Sequence, residues 1–234
     1  MKKLIFLLFT SIISYSQVTP TSGFVEYGID IPDSVLQKIK KHKSGEDNKQ
    51  AYNIFLSMIQ NHKKIYSQDI VFLHLNFNKD KYLSKPVDIM LPESLKGKFI
   101  FKSDVFYGNS NTNTYLKQFK KQGKTYITPI NAEYEWEITN YQKNILGFNC
   151  KKAILEISKK TDVVAWFTPQ FTVAFSPVKY YGLPGAILEA SVGFKHIYAK
   201  NIEFKGDVEV EKPTEGIKLT AEEYKQMMTR FKPD

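Results

Sequence analysis

What most limits the fold of this chain is a succession of short segments whose apolar positions recur every second residue, with turn residues and no helical spacing between most of them. They cover residues 24–31, 98–106, 125–130, 133–139, 150–157, 163–167, 186–192 and 194–204. In the fourth, Tyr134, Trp136 and Ile138 project to one side while Glu133, Glu135 and Glu137 project to the other. That is the pattern of an antiparallel strand with one solvated face. Ser158-Lys159-Lys160-Thr161-Asp162 and Val192-Gly193 supply turn residues at hairpin distances. A meandering antiparallel sheet is the expected heart of the molecule.

Two segments break this rhythm. From Asp47 onward, Ala51, Ile54, Phe55, Met58, Ile59, Ile65 and Tyr66 recur at three and four residues, with His62 on the same face. This predicts an amphipathic helix. The period then drops to two over Val71, Leu73, Leu75 and Phe77, so a strand follows. Near the end, Thr220 and Glu223 form a capping box, with Leu219 and Tyr224 placed as its hydrophobic staple. A terminal helix is expected there, its stripe made by Tyr224, Met227, Met228 and Phe231. The resulting expectation is an α+β fold: one curved antiparallel β-sheet, open like a half-barrel, with the amphipathic helix and the C-terminal helix packed on its concave side.

The first residues read as an export signal. Lys2-Lys3 precedes an apolar run from Leu4 to Ile13, and Ser14-Tyr15-Ser16 places small residues where a signal peptidase cuts. The run is too short for a bilayer span, which needs about 20 apolar residues. Residues 1–16 are therefore expected to be a cleaved signal peptide and 17–234 a single domain, periplasmic or secreted. No cysteine follows the apolar run, so lipoprotein anchoring is not expected, and no later segment is apolar enough to span a membrane. Cys150 is the only cysteine, so no intramolecular disulfide can form and stability must come from the core. With 234 residues, 42% of them hydrophobic, the chain can build one. The net charge is +9, yet Arg230 is the only arginine. Lysine lacks the planar fork that reads phosphates and guanines, so nucleic acid is not an expected partner.

Chemistry is sparse in the pattern. Gly182-Leu183-Pro184-Gly185 suits a type II turn, with Pro184 and Gly185 at its centre and positive φ at Gly185, leading into an apolar strand. No lysine–hydroxyl pair and no helix start follow it, so it does not read as a phosphate loop. Cys150 is flanked by Lys151 and Lys152, which could activate a thiol, although a lone cysteine in an apolar setting is usually packed. His42, His62, His74 and His196 show no two-ligand spacing, and no serine-hydrolase elbow is present. Neither a cofactor nor a metal is expected. Glu189 interrupts an apolar strand and calls for a cation such as Lys152. Trp136, Trp166, Phe167, Tyr180 and Tyr181 concentrate near the turn, either as core or as the wall of a ligand site.

These spaced residues resemble the GLPGLI family, exported proteins of Bacteroidota without a known biochemical function. The resemblance rests on Trp136, Lys143, Gly147, Cys150, Lys152, Ala165, Trp166, Pro177, Gly182, Leu183, Pro184, Gly185 and Leu188, within a motif-bearing part of about 132–204. The opening Gly23-Phe24-Val25-Glu26-Tyr27 looks like the family's first strand. Ala186 and Ser176 depart from the pattern, standing for leucine and glycine, and the serine would matter only if positive φ were needed there. Because the chain is expected to be exported and its distinctive residues are Gly, Pro, Trp and Leu instead of acids, bases or nucleophiles, a noncatalytic binding or interaction module of the envelope or medium is expected, its partner an envelope protein or an apolar ligand. One alternative is a periplasmic carrier of a lipid-like ligand. The other is an enzyme using Cys150 or a convergent histidine and carboxylate.

Overall fold

The computed structural model describes residues 21–41, 49–67, 69–89, 104–130, 133–158 and 161–229. The expected signal peptide lies outside them, as do His42, Asp47, Arg230, Phe231 and the part of an expected strand at 98–103. Strand β1 (Ser22–Asp30) is followed by helices α1 (Asp33–Lys41) and α2 (Lys49–Tyr66). Five strands come next: β2 (Leu73–Asn78), β3 (Lys81–Pro86), β4 (Val105–Asn109), β5 (Thr114–Lys121) and β6 (Lys124–Pro129). A second run holds β7 (Glu137–Ile145), β8 (Phe148–Ser158), β9 (Thr161–Thr168), β10 (Ala186–Val192) and β11 (Lys195–Phe204). A short β12 (Ile217–Lys218) and helix α3 (Ala221–Thr229) complete the described chain.

All twelve strands join one curved, unclosed sheet in the order β12-β6-β5-β4-β3-β2-β1-β11-β10-β9-β8-β7. Strand β1 unites the two runs, pairing with β2 on one side and β11 on the other. Every neighbouring pair is antiparallel except β12 with β6, so the sheet is mixed. Alternation explains the strands. In β2, Leu73, Leu75 and Phe77 are buried and His74, Asn76 and Asn78 are half-exposed.

The α+β expectation is overturned, because the molecule is mostly β and its helices are minor. Helices α1 and α3 bury no residue, and α2 buries only Ile59, His62, Ile65 and Tyr66 from its second half. The predicted stripe does form on a helix, but its first half, Ala51, Ile54, Phe55 and Met58, faces solvent. Spacing reports a helix and cannot report what covers it. What covers the sheet here is an irregular segment, residues 169–185, that buries Phe171, Val173, Phe175, Tyr180 and Leu183. The capping box does form at α3: Thr220 N–H donates to Glu223 Oε2 at 2.7 Å and Glu223 N–H to Thr220 Oγ1 at 3.2 Å. Among the described residues no helix is long and apolar enough to cross a membrane.

The second run shows why small residues stand where they do. Pairing aligns Ala153, Ala165, Ala190, Ile197 and Ile29 in one row across five strands. The three alanines leave room for Leu183, which packs on them together with Ile187, Phe167, Trp136 and Val178. The turn that delivers Leu183 is tighter than expected. Gly185 N–H donates to Leu183 O at 2.8 Å, closing a γ-turn around Pro184 instead of a type II turn. Gly185 has φ 159°, close to extended, and its need for glycine is steric: a Cβ there would lie 2.2 Å from Thr168 O. The φ of Gly185 is thus positive, as expected, and Gly182, at 95° and in open space, is positive as well. Ser176 is buried without positive φ, and its Oγ accepts Val178 N–H at 3.2 Å, so the glycine-to-serine departure is harmless.

Candidate functional site

Opposite the alanine row, the same pairing builds a polar row. Lys152, Trp166, Glu189, Tyr198 and Gly28 stand side by side on β8, β9, β10, β11 and β1. Two residues further along, on the same face, Ser191, His196 and Asp30 form a second short row. Their source is the hairpin at Gly193-Phe194, which pairs Val192 with Lys195 and thereby fixes Ser191 against His196 and Glu189 against Tyr198.

Glu189 is the hub. Lys143 reaches across from β7, placing Nζ 2.5 Å from Glu189 Oε2 and 4.4 Å from the centre of the Trp166 ring. The expected partner Lys152 is not the one used. Trp166 stands between Lys152 and Glu189, and Lys152 Nζ instead lies 5.4 Å from the Tyr141 ring centre. On its other side, Glu189 Oε2 is 3.6 Å from His196 Nε2, while His196 Nδ1 and Ser191 Oγ are 3.1 Å apart. The His196 and Tyr198 rings run nearly parallel, 15° apart with centroids at 5.7 Å. Tyr198 can lie down because position 28 is glycine: a Cβ there would come within 2.7 Å of the ring carbon Cζ.

Burial pushes the His196 pKa below its usual value; Glu189 and Asp30 counteract this, while Lys143 adds to it. A neutral imidazole between a carboxylate and a hydroxyl can donate from Nε2 and accept at Nδ1. Glu189, His196, Tyr198 and Asp30 open onto a cleft of about 470 Å³ whose far wall is the end of α2 and the turn after it, Tyr66, Ser67 and Asp69. Asp69 is already engaged by Lys200, Nζ to Oδ1 at 2.6 Å. Among the described residues no group of three or more histidines, cysteines and acids could hold a metal ion.

The residues singled out from the sequence thus divide. Lys143 and Trp166 belong to the site. Ala165 and Leu183 build the packing beneath the turn, where Trp136 also donates Nε1–H to Tyr181 O at 2.9 Å, while Gly185 seats the turn against the Thr168 backbone and Leu188 is buried in the main core. Pro177 O accepts the Ser84 hydroxyl, and Gly147 turns the β7–β8 hairpin with φ 89°. Cys150 is fully buried, with its thiol pKa pushed up to about 12, chiefly by burial and then by Glu189. That is the opposite of an activated nucleophile. Ser191, His196, Tyr198 and Asp30 were not singled out as a group. The two-residue hairpin register was the signal that could have assembled them.

The model of a family described as a protein of unknown function (Porph_ging) matches residues 154–189, from β8 through the turn to Glu189. In three dimensions the chain is similar to a structure of PNGF-II in space group P21, with a TM-score of 0.57 and 17% identity over 90% of this chain and 33% of that one. A structure of PNGF-II in space group C2 gives 0.54 and 16% with the same coverage. The chain therefore spans about a third of the PNGF-II chain, and at this identity the likeness is one of fold. No curated protein matches the chain in sequence.

Proposed function

We propose that the chain is an exported, noncatalytic binding module of the GLPGLI type, and that the face carrying Glu189, His196 and Tyr198 is its ligand-contacting surface. The observation that supports this most is the way Glu189 is held. Lys143 and Trp166 fix its carboxylate from one side while the other side borders an open cleft. Prepositioning of this kind reduces the ordering cost of binding. Of the other motif residues, Ala165, Leu183 and Leu188 serve packing and Gly147 and Gly182 shape turns, and the one thiol is buried. The carrier alternative has less support: the apolar cleft lined by Leu73, Phe106, Val178 and Ile197 has about 210 Å³, below the roughly 300–1,000 Å³ of ligand pockets, and the larger one of about 440 Å³ beside Leu116, Ile127 and Leu219 carries Lys212 and Lys218 in its wall.

The test is detergent-free purification from the native envelope or medium, followed by native mass spectrometry of wild type and Glu189→Gln. A retained mass or partner present in wild type and lost in the variant is expected. Equal occupancy in both would sink the assignment of this face. Recovery of the protein from the cytoplasm with Met1 and the leader intact would sink export.

One observation favours an enzyme as the second reading: Ser191, His196 and Glu189 form a contiguous hydroxyl–imidazole–carboxylate series. A fluorophosphonate that labelled Ser191 in wild type, and not in His196→Gln, would establish it over the binding reading.

A further inference from the structure

We propose that the ligand of this face is a neutral polyhydroxylated ring, a pyranose-type sugar laid flat on Tyr198. The inference rests on the reading of the face as a binding surface and adds the class of ligand. Four ligand types can be weighed against the cleft. An anion is disfavoured by the carboxylates of Asp30, Asp69 and Glu189 along its walls. A cation gains little, because Lys143 already neutralises Glu189 and Lys200 already neutralises Asp69, which leaves Asp30 as the single acid of the cleft to attract it, in a chain whose net charge is +9. A purely apolar ligand would strip water from His196, Asp30 and Ser67 without replacing their hydrogen bonds. A neutral ligand with hydroxyls at its rim and one apolar face meets none of these objections.

The geometry then gives each part a role. Tyr198 rests its phenol end on the bare Cα of Gly28 and borders the cleft, with the His196 ring stacked nearly parallel to it, 15° apart and 5.7 Å between centroids. A sugar presents axial C–H groups on one face and hydroxyls at its edge, so the rings take the first and the neighbouring acids the second. Glu189 and Asp30 lie on either side of the ring pair, one paired with Tyr198 and the other with His196, and each is a hydrogen-bond acceptor. Lys143 holds the first in place.

The experiment is saturation-transfer NMR on the purified protein with chitotetraose, mannotetraose and maltotetraose, each added separately. Transfer to the ring protons of at least one is expected. Tyr198→Ala should weaken that binding by about tenfold or more, whereas Tyr198→Phe, which keeps the ring face, should stay within about threefold. Gly28→Ala should also weaken it with little change in melting, since the displaced atoms are the free end of a side chain. Purified envelope polysaccharide from the native host separates the two sources of such a ligand: added retention on it marks a surface-bound glycan, and binding of the tetramers alone marks a free oligosaccharide. Absence of transfer to all three tetramers, or undiminished transfer in a folded Tyr198→Ala, overturns the proposal. Tetralysine and tetraglutamate distinguish the two levels of failure. If one of them binds and is lost in Tyr198→Ala while the sugars do not bind, the sugar class is wrong and the face remains a binding surface. If no probe binds and no variant changes what the native protein retains, both readings fall.

Discussion

Replacing Gly185 by alanine tests whether the turn acts through space or through backbone conformation. The added Cβ would lie 2.2 Å from Thr168 O, 2.6 Å from Thr168 C and 2.9 Å from Pro169 N, all backbone atoms at the end of β9. None can rotate away as a side-chain tip would, so the turn must lift from the strand. Forced displacement in a packed region costs about 1–3 kcal/mol. Here the upper end is expected, because the lift disturbs both the Ala186–Thr168 pairing and the seat of Leu183 on the alanines. A domain of this size loses roughly 2–4 °C per kcal/mol, so melting should fall by about 5–12 °C. Gly182→Ala is the control. Its φ of 95° strains an L-residue, but nothing lies within 4 Å of the new Cβ, so a cost of about 1–2 kcal/mol is expected. Calorimetry gives the ordering, and hydrogen exchange at Ala186 and Ile187 gives the mechanism: faster in Gly185→Ala, unchanged in Gly182→Ala. A Gly185→Ala protein with wild-type melting, or a Gly182→Ala protein that melts lower than Gly185→Ala, would refute the steric argument.

Three further outcomes follow from the site. Cys150 should resist a bulky thiol reagent at pH 8 in the native protein and react on unfolding. Because its folded pKa is raised from 9.0 to about 12, its contribution to stability should be full below pH 9 and fade as pH rises above it, a loss absent in Cys150→Ala. A double-mutant cycle of Lys143→Met and Glu189→Gln should give a coupling of about 1 kcal/mol, since both side chains are only partly exposed; zero coupling would show the pair to be incidental. Burial holds the folded pKa of His196 below the ordinary 6.5 of an imidazole, so its contribution is present above pH 6.5 and lost as pH falls below it. An NMR titration of its ring protons that placed the pKa above 6.5 would reverse that sign.

The strands of the second run from β8 to β11 were legible because alternation is a local signal and the hairpins β8–β9 and β10–β11 carry their own turns. Strands β3 and β5, in contrast, were not expected, and the segment expected at 133–139 is strand only from Glu137, with Ile138 exposed instead of buried beside Tyr134 and Trp136. The fold class was misread because two real amphipathic stripes were given work that the sheet does not need done. Tyr224 of α3 only borders β5, with Lys117 Nζ 3.0 Å from its hydroxyl and its ring 5.4 Å from Phe119, while Ile54, Phe55 and Met58 of α2 are exposed. What covers the sheet, residues 169–185, alternates only over Phe171, Val173 and Phe175, which enter the main core without forming a strand, and then loses any period. Leu183 at its end is placed by the path of a loop over alanines contributed by three different strands.

The site was half legible for a related reason. Glu189 stands out in any linear reading, because a carboxylate in an apolar strand demands a cation. Which cation answers depends on the order of strands. Lys152 is nearer in the row, yet the Trp166 ring lies between, and the same ring supports the longer reach of Lys143 from β7. The tryptophan therefore does two things at once, blocking one lysine and supporting another, and neither can be deduced from its type. Tyr198 and Gly28 show the same dependence from the other side. Gly28 is an unremarked glycine in a strand until β11 is laid beside β1, whereupon it is the one position in that row where a phenol ring can lie flat on the backbone. Chemistry that is assembled across a sheet is written in pairs of residues, and a single strand shows only one member of each.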